Sequence, residues 1–427
     1  MGGVLLEYYP SRLGFLAGVW FSLGSGSSVL LLHLSDTHLG YRQYGVFERE
    51  LDVYDVFEES IELALREHVD LVVHAGDFFD SPRPPPQALR NAIRVLGLLR
   101  DRGIPFLVVM GDHDLPRRRM LPPLVILEDL GLARIIGLRG PEKATVRLRA
   151  GSVVAAGFSA IRGPAARQRV REALSRLASA RSSTGSGLPS ILVLHQGLRE
   201  ALAFDYELDV STLPSGFQYY AMGHVHLHYV WRRDGGYVVY PGSPEAFRRD
   251  EAARQRDRYV VVSEINSREA LSVQRLKLTR ARPQPVYVVG YEGSEQFTRF
   301  LAGLASVLRA SNGKKPLVHL KVMGVPAAAR QRVRELVERV LGDRVLAYRL
   351  EISHTDTIEV REVKADRPAP DSINAREILA ALLNDRELAE LGYQLIEILG
   401  SDSGEAGSVS EALQLVRRFY GIEDEGF

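Results

Sequence analysis

Five short polar motifs hold the side chains best suited to chemistry, and each follows an apolar run. Asp36 and His38 lie two positions apart, so their side chains point the same way on an extended chain. His224 and His226 repeat that arrangement. One such pair alone is typical of a solvated loop, whereas five motifs of carboxylate and imidazole type predict a dinuclear metal centre. The motifs are 35-SDTH-38, 76-GDFFD-80, 111-GDHD-114, 194-LHQG-197 and 223-GHVH-226.

The composition narrows the possible metals and partners. The chain has no Cys, which excludes disulfides and thiolate ligands, and oxygen with imidazole ligands suits Mn²⁺, Fe or Zn²⁺. The net charge is only +1, so any binding of nucleic acid has to come from local basic patches. Almost all basic residues are Arg, which suits bidentate contacts with phosphate. GC-rich coding or adaptation to heat explains this bias equally well.

Apolar, β-branched runs alternate with helical stretches from residue 29 to about residue 265. Strands that are apolar throughout require burial on both faces, which predicts a layered α/β architecture with sheets covered by helices. Reactive groups then gather at the carboxyl ends of the strands, where all the polar motifs fall. The predicted strands are 29–35, 70–76, 104–110, 152–158, 190–196, 217–223 and 237–243, and the predicted helices include 47–68 and 85–103.

A second unit follows a Pro- and Arg-rich linker at residues 280–285. It is predicted as a small α/β domain over residues 285–365. Its predicted strands are 286–291, 316–322 and 345–353, and its predicted helices lie near 294–310 and at 327–342.

The two ends of the chain, residues 1–28 and 366–427, lack the α/β pattern of residues 29–365. Residues 366–427 are predicted as a linker and a helical tail, with apolar faces formed by Ile378, Leu379, Leu382 and Leu383 and by Leu388, Leu391, Leu395 and Leu399, and a last helix at 410–421. Helices with so little core of their own favour docking on a partner, with packing back on the body as the alternative. Residues 1–28 are interpreted as a disordered leader or a misassigned start, with a targeting signal as the weaker alternative.

The order of the motifs resembles that of calcineurin-like metallophosphoesterases, namely Asp-x-His, Gly-Asp-x-x-Asp, Gly-Asn-His-Asp, His and Gly-His-x-His. Longer stretches are similar to DNA double-strand-break repair nucleases of the meiotic-recombination-eleven type, called SbcD in bacteria, and the order of the domains fits archaeal members. The resemblance covers residues 29 to about 365. It implies a layered β-sandwich flanked by helices over residues 29–280 and a DNA-capping domain over residues 285–365. The stretches are 33-HLSDTHLGYRQYG-45, 76-GDFFDSPRPPPQAL-89, 223-GHVHLH-228 and 240-YPGSPEAF-247.

Carried over position by position, the resemblance implies the roles of the motif residues. Asp77 would bridge two metals, and His113 would contact the scissile phosphate or protonate the leaving oxygen. Asp80 could hold the ring of His113, with an ordinary loop or helix-cap residue as the alternative. The first metal would take Asp36, His38 and His226, and the second would take Asp112, His195 and His224.

Asp112 departs from the family pattern, which has Asn at this position. An Asp offers an oxygen at the same reach as the Asn amide, so Asp112 is expected to bind the second metal. Its charge should tighten metal binding, make bound water less acidic and attract phosphate less. The opposite interpretation is that Asp112 marks a site whose catalysis is silenced.

Basic clusters near the motifs predict a rim that binds the DNA backbone, and no base-reading motif is visible. Any one cluster alone is more typical of a solvated surface. Two tyrosines beyond the first motif could contact DNA, with packing of their loop as the alternative. The predicted DNA contacts are Tyr41, Tyr44, Arg117, Arg118, Arg232, Arg233 and Arg248.

The resemblance therefore implies an Mn²⁺-dependent nuclease with two Mn²⁺ ions per subunit. It would have 3′→5′ exonuclease activity on duplex DNA and endonuclease activity on single strands or hairpins. It would be a cytoplasmic, nucleoid-associated homodimer whose C-terminal helices bind a coiled-coil ABC-type ATPase, since this chain has no Walker A sequence. The alternatives are a DNA-end-binding scaffold with silenced catalysis and a phosphodiesterase that acts on small molecules.

Overall fold

The protein is described by a computed structural model that covers residues 28–116, 120–149, 151–163, 165–181, 187–202, 204–353, 385–400, 414–416 and 419. The chain forms two compact units, one through Ala281 and one from Arg282 that also takes in residues 162–166. The predicted leader, Arg117 to Arg119 and most of the predicted tail lie outside the described residues. Among the helices in the described ranges, none is long and apolar enough to cross a membrane.

The first unit is built from strands β1 to β12 and helices α1 to α5. The strands are β1 Val29–Leu34, β2 Leu71–His74, β3 Phe106–Val108, β4 Arg134–Ile135, β5 Glu142–Leu148, β6 Gly151–Phe158, β7 Ser190–His195, β8 Tyr219–Gly223, β9 Tyr229–Arg233, β10 Gly236–Tyr240, β11 Arg258–Ile265 and β12 Ala270–Leu278. The helices are α1 Phe47–Arg66, α2 Pro86–Asp101, α3 Leu124–Asp129, α4 Ala166–Arg181 and α5 Arg249–Arg254.

These strands form two six-stranded sheets. Sheet one has the order β12-β11-β1-β2-β3-β4, and sheet two has the order β5-β6-β7-β8-β10-β9. In sheet one β1 to β4 run parallel, while β11 is antiparallel to β1 and β12 is antiparallel to β11. In sheet two β6, β7, β8 and β10 run parallel, with antiparallel strands at both edges. The centre of each sheet therefore presents the carboxyl ends of several strands at one edge.

The two sheets pack face to face and helices cover their outer faces. Leu31 of β1 lies in the apolar cluster between the sheets, together with Ile191 and Tyr219 of sheet two. Leu32 faces the other way, into the cluster formed with α1 and α2. Leu174 of α4 belongs to a third cluster over the outer face of sheet two. The predicted layered β-sandwich flanked by helices is therefore confirmed.

All seven predicted strands of this unit are present, although most are shorter than predicted. The predicted strand 104–110 pairs only over Phe106–Val108, and Val109 and Met110 continue as buried chain toward the polar motif. Strands β4, β5, β9, β11 and β12 were not among the predicted ones. Four of these five are edge strands, and β11 lies between the edge strand β12 and β1.

The second unit has a three-stranded parallel sheet with the order β13-β14-β15. Phe297, Leu320 and Leu336 contribute to its apolar core. The residue boundaries and DNA-capping role of this unit, and the partner-binding role of the tail, remain predictions. The elements are β13 Val286–Gly290, α6 Ser294–Val307, β14 Leu317–Met323, α7 Arg330–Leu341, β15 Ala347–Ile352 and α8 Arg386–Gly400.

Only part of the predicted tail can be compared with the structure. Of the predicted apolar faces, the second lies on α8, where Leu391 is buried; its residues are Leu388, Leu391, Leu395 and Leu399. The face predicted at 378–383 lies outside the described residues, as does most of the helix predicted at 410–421. Residues 414–416 and 419 are helical.

Candidate metal centre

The predicted ligands come together at one edge of the sandwich because both sheets end there. The motif residues follow β1, β2 and β3, which are neighbours in sheet one, and β7 and β8, which are neighbours in sheet two. Since the sheets pack face to face, loops that leave these strands converge on one place. The residues that meet there are Asp36, His38, Asp77, Asp112, His113, His195, His224 and His226.

Three of the predicted ligands form a first pocket, composed of Asp36, His38 and His226. Their potential ligand atoms all lie within 4.8 Å of one another. The Nε2 atoms of His38 and His226 are 3.3 Å apart, and the Nε2 of His226 is 3.7 Å from the Oδ1 of Asp36. Asp36 and His38 are buried. The first pocket therefore brings two ring nitrogens and a carboxylate oxygen to a common point.

The second pocket is composed of Asp112, His195 and His224, whose potential ligand atoms also lie within 4.8 Å of one another. The Oδ1 of Asp112 is 3.1 Å from the Nε2 of His195 and 3.7 Å from the Nδ1 of His224. The side chain of His195 is fully buried, whereas that of Asp112 is 35% exposed. Asp112 thus lies on the open side of the pocket, and its oxygen points inward where a ligand oxygen is required.

Asp77 joins the two pockets through a single oxygen. Its Oδ2 is 3.7 Å from the Nε2 of His38 in the first pocket and 3.3 Å from the Nε2 of His195 in the second. Its Oδ1 accepts a hydrogen bond from the backbone N–H of His113 at 2.9 Å. The carboxylate is almost completely buried. This position between the pockets is the one that a bridging ligand occupies.

Four of the predicted ligands adopt backbone conformations that residues other than Gly rarely adopt. The φ angles are 54° for Asp36, 45° for His38, 54° for Asp77 and 94° for His224. Such conformations cost about 1–3 kcal/mol each and persist where the surroundings fix them. Here the N–H of Asp36 donates to the carbonyl of Gly76 at 2.9 Å, and the N–H of His224 donates to the Asp36 carboxylate at 3.1 Å. The strained loops are therefore linked to one another.

The glycines that precede the ligands permit this close approach. A Cβ on Gly111 would lie 2.0 Å from the Oδ1 of Asp77, and a Cβ on Gly223 would lie 1.9 Å from the carbonyl oxygen of Ala75. Neither distance is possible for a real side chain. The Gly in the motifs 111-GDHD-114 and 223-GHVH-226 is thus required by contact between loops.

Asp114, the last residue of the third motif, ties two of the loops together. Its Oδ1 accepts the N–H of Phe79 at 2.9 Å, and its Oδ2 accepts the N–H groups of Phe78 at 3.1 Å and Gly111 at 3.0 Å. The side chain is fully buried. Burial and the nearby Asp77 raise the pKa of Asp114 to about 7 against the effect of these three donors. Asp114 has no role predicted from the sequence, although it belongs to the motif 111-GDHD-114.

The pKa values of Asp77 and His195 are shifted by each other's charge. Burial acts to raise the pKa of Asp77, but His195 above all, with His38 and His113, holds it well below its usual value. Burial acts to lower the pKa of His195, but Asp77 and the hydrogen bond with Asp112 hold it well above 6.5. The carboxylate of Asp77 and the imidazole of His195 therefore favour each other's charged form, a task that bound cations could take over.

The rings of two histidines are oriented from behind. The Nδ1 of His195 lies 2.8 Å from the carbonyl oxygen of Ala75, to which it can only donate. The Nδ1 of His226 lies 2.9 Å from the carboxylate of Glu251. In both cases the hydrogen bond leaves Nε2 to face the pocket, which is the arrangement found for histidines that bind metals.

His113 lies beside the pockets, with its side chain 46% exposed. Its Nδ1 donates to the backbone carbonyl of Asp80 at 2.8 Å, whereas the Asp80 carboxylate is 3.9 Å from that nitrogen. The same carboxylate is closer to the Nδ1 of His38, at 3.3 Å. The residue predicted to hold the ring of His113 therefore does so through its main chain, because the loop after β2 presents the carbonyl rather than the side chain to His113.

The predicted DNA contacts differ in how accessible they are. Tyr44 is 41% exposed, whereas Tyr41 packs its ring against Phe247 at 5.2 Å. Arg233 donates to the carbonyls of Val210 and Leu213 and is mostly buried.

The two remaining described arginines of the predicted rim are more accessible. Arg232 lies over the ring of Tyr237, and Arg248 is 69% exposed but pairs with Asp250 at 2.6 Å. Arg117 and Arg118 lie outside the described residues. The contacts of all seven residues with DNA therefore stay predictions. Tyr41 and Arg233 already have contacts within the protein that explain the positions of their side chains.

The donor set fits two divalent cations. Each pocket offers imidazole nitrogen and carboxylate oxygen without sulfur, and the shared Asp77 oxygen reaches both. Such hard and borderline ligands suit Mn²⁺, Fe²⁺ or Zn²⁺. An arrangement of two cations with a nearby imidazole is suited to the hydrolysis of phosphate esters.

The chain is similar to known proteins in sequence and, more distantly, in structure. Among solved structures, a dimetal phosphatase from Danio rerio is 12% identical and covers 58% of this chain and 99% of its own, with a TM-score of 0.38. The family model described as the calcineurin-like phosphoesterase superfamily domain matches residues 29–267.

Two curated relatives bear the name DNA double-strand break repair protein Mre11. The protein from Sulfurisphaera tokodaii is 33% identical over 352 residues, which cover 81% of this chain and 86% of that protein. The protein from Sulfolobus acidocaldarius is 31% identical over 411 residues, which cover 92% of this chain and 100% of that protein. The family model and these relatives show that the chain belongs to the calcineurin-like phosphoesterase superfamily and, within it, to the Mre11 family of DNA double-strand break repair proteins.

Proposed function

We propose that this protein is a metal-dependent nuclease that processes DNA ends during double-strand break repair. The observation that supports this best is the position of the Asp77 Oδ2 between the two pockets, 3.7 Å from His38 and 3.3 Å from His195. A carboxylate oxygen placed in this way suits a centre of two cations, the type that serves phosphodiester hydrolysis. The names of the relatives supply the substrate, DNA with broken ends.

The residues of the chain divide the chemistry between them. Cations held by the two pockets would lower the pKa of an attacking water and stabilise negative charge on the phosphate. Asp77 and the other carboxylates fix where that positive charge lies. His113 stands outside both pockets and would donate a proton to the leaving oxygen or a hydrogen bond to the phosphate.

The surroundings of His113 suit a proton donor. Burial acts to lower the pKa of its ring, but Asp77, the hydrogen bond to the Asp80 carbonyl, Asp112 and Asp80 together raise it above 6.5. Because that carbonyl accepts the proton on Nδ1, the proton available for transfer is the one on Nε2. The hydrogen bond also holds the ring edge-on to His38, with ring centres 4.7 Å apart.

Within this function we propose Mn²⁺ as the metal, with 3′→5′ exonuclease activity on duplexes and endonuclease activity on single strands or hairpins. The protein would act as a homodimer at the nucleoid and bind a coiled-coil ABC-type ATPase through its C-terminal helices. Deletion of residues 370–427 is expected to abolish binding of the ATPase and to leave cleavage of single strands intact. If the ATPase still bound the truncated chain, the assignment of the tail would be wrong.

The first experiment is digestion of end-labelled duplex DNA with added Mn²⁺ by wild type, His113→Ala and Asp112→Asn. A matched control is His68→Asn, since His68 is an exposed histidine whose φ of 54° Asn tolerates. We expect wild type, His68→Asn and Asp112→Asn to digest the duplex, and His113→Ala to be slower by about 10²–10³-fold.

Two other outcomes would redirect the assignment. An inert wild type together with an active Asp112→Asn variant would mean that Asp112 silences the site and that the protein mainly holds DNA ends. Rapid cleavage of a nitrophenyl phosphodiester without any digestion of DNA would indicate a phosphodiesterase for small molecules.

A further inference from the structure

Glu251 of α5 approaches the metal centre from behind His226, and no motif includes it. Its side chain is almost fully buried, and its Oε1 lies 2.9 Å from the Nδ1 of His226. We propose that Glu251 is a positioning residue that fixes the tautomer and the orientation of His226, so that the ring presents an unprotonated Nε2 to the first pocket. The proposal rests on the proposed dinuclear centre and assigns it a residue beyond its ligands.

The hydrogen bonds of Glu251 decide where the proton on the His226 ring lies. The second oxygen, Oε2, accepts the backbone N–H groups of Phe247 at 2.8 Å and Arg248 at 3.2 Å. Two main-chain donors on Oε2 favour the charged carboxylate, which leaves Oε1 facing the Nδ1 of His226 as an acceptor. A carboxylate can only accept from the Nδ1 of His226, so the proton of the neutral ring stays on Nδ1 and the lone pair on Nε2.

The main chain of His226 is also held in place. The guanidinium of Arg258 donates from Nη1 to the carbonyl of His226 at 3.1 Å. The ring of Phe247 packs edge-on against the imidazole with centres 5.5 Å apart. Arg49 of α1 donates to the carbonyl of Ala246, which anchors the segment that carries Glu251 to the first helix. These contacts tie His226 and the segment that carries Glu251 to α1 and β11.

Glutamine cannot replace Glu251 at this position. A Gln side chain has one acceptor oxygen and one donor NH₂, but the site needs acceptors on both sides. If the oxygen serves the N–H groups of Phe247 and Arg248, the NH₂ faces the Nδ1 of His226 and favours the tautomer with its proton on Nε2. If the oxygen faces His226, the N–H groups of Phe247, which is buried, and Arg248 lose their partner. Glu251→Gln should therefore weaken the first pocket while preserving the size of the side chain.

The test measures binding of Mn²⁺ alone to the metal-free full chain by isothermal titration. The variants are Glu251→Gln and Asp250→Asn, a matched control because Asp250 is the neighbouring carboxylate and its side chain is mostly exposed. We expect two sites in wild type and in Asp250→Asn. In Glu251→Gln, one site should be weakened by about 10–100-fold and the other should be nearly unchanged. Equal affinities of Glu251→Gln and wild type at both sites would overturn the proposal.

Two further readouts separate positioning from general damage. Nuclear magnetic resonance of histidine labelled with ¹⁵N, with the His226 signal identified by its loss in His226→Asn, should show the Nδ1–H tautomer in wild type at a pH where the ring is neutral. That tautomer should be lost or mixed in Glu251→Gln. An unchanged tautomer would overturn the proposal, as would an equal loss of both sites accompanied by unfolding. If wild type itself bound no metal, the proposed function would fail first, so the two failures are distinguishable.

Discussion

The two pockets of the metal centre obtain their negative charge in different ways. The first pocket contains the buried Asp36, and a second carboxylate, Glu251, lies behind the ring of His226. In the second pocket the ring of His195 is held by a neutral carbonyl, that of Ala75, and the carboxylate Asp112 lies among the ligands on the open side. Asp77 is shared by both.

This comparison gives Asp112 a physical role. With Asn at this position, the second pocket would have no carboxylate other than the shared Asp77, and its fully buried histidine would be oriented by a carbonyl alone. Asp112 brings the second pocket closer in charge to the first. Because the side chain is partly exposed, water screens that charge, and its effect should be smaller than that of a buried carboxylate.

The largest expected effect comes from the residue that the pockets share. Asp77→Asn keeps the size of the side chain but removes the charge between His38 and His195. We expect both sites to lose Mn²⁺ affinity together and the rate of DNA cleavage to fall by more than about 10³-fold. Isothermal titration and digestion of labelled duplex measure the two effects. Loss of only one site would show that Asp77 belongs to a single pocket.

The next effect concerns the link between the loops. Asp114→Ala would leave the buried N–H groups of Phe78, Phe79 and Gly111 without their acceptor. We expect the free energy of unfolding to fall by about 3 kcal/mol or more, because each unsatisfied buried donor costs about 1–3 kcal/mol. Urea denaturation of the metal-free chain measures this, and Asp129→Ala, at an exposed position on α3, is the control. A loss no larger than that of the control would mean that the loops hold without Asp114.

A smaller effect is the pH dependence of metal binding, which follows from the proton on His195 in the second pocket. Asp77 and Asp112 raise the pKa of His195 well above 6.5 in spite of its burial. The charged ring therefore stabilises the metal-free fold fully below pH 6.5, and this contribution is lost as the pH rises through the raised pKa. A cation needs the neutral ring, so its binding must release this proton.

The affinity for Mn²⁺ should accordingly rise with pH above 6.5, by up to about tenfold per pH unit for each proton released. Titration calorimetry in buffers with different heats of ionisation counts the released protons directly. An affinity that does not depend on pH between about 6.5 and 8, with no proton release, would show that His195 is already neutral in the metal-free chain.

The sequence predicts which side chains meet at the centre because their chemistry is local. Four of the five motifs combine Gly with Asp or His at the end of an apolar strand, and the fold needs a Gly where the loops touch, as at Gly111 and Gly223. The layered sandwich is also predictable, because central strands such as β1 are buried on both faces and read as continuous apolar runs. The edge strand β5 was missed because it lacks such a run, with alternate residues exposed near its end.

Features that depend on distant contacts could not be predicted. Glu251 reaches His226 across 25 positions of sequence, and no spacing rule connects a short helix to a metal ligand. The use of the Asp80 carbonyl rather than its carboxylate depends on how one loop turns. Arg233 is basic and near a motif, yet its guanidinium serves carbonyls of its own unit. In each case the residue type was visible in the sequence, but its partner was not.

The smallest expected effect is that of Asp112→Asn, and it tests the comparison of the pockets most directly. Asn keeps an oxygen for the second pocket but removes a negative charge. In this partly solvent-exposed position, the attraction between that charge and a cation is worth roughly 1–4 kcal/mol. The substitution also removes a hydrogen-bond partner that raises the pKa of His195, so the competing proton binds less tightly. These changes oppose each other, and we expect the Mn²⁺ affinity of one site to fall by only about threefold to tenfold, with the other site unchanged. Titration of Mn²⁺ into both forms measures this. Equal loss at both sites would show that charge is shared across the centre through Asp77 and that the two pockets act as one electrostatic unit.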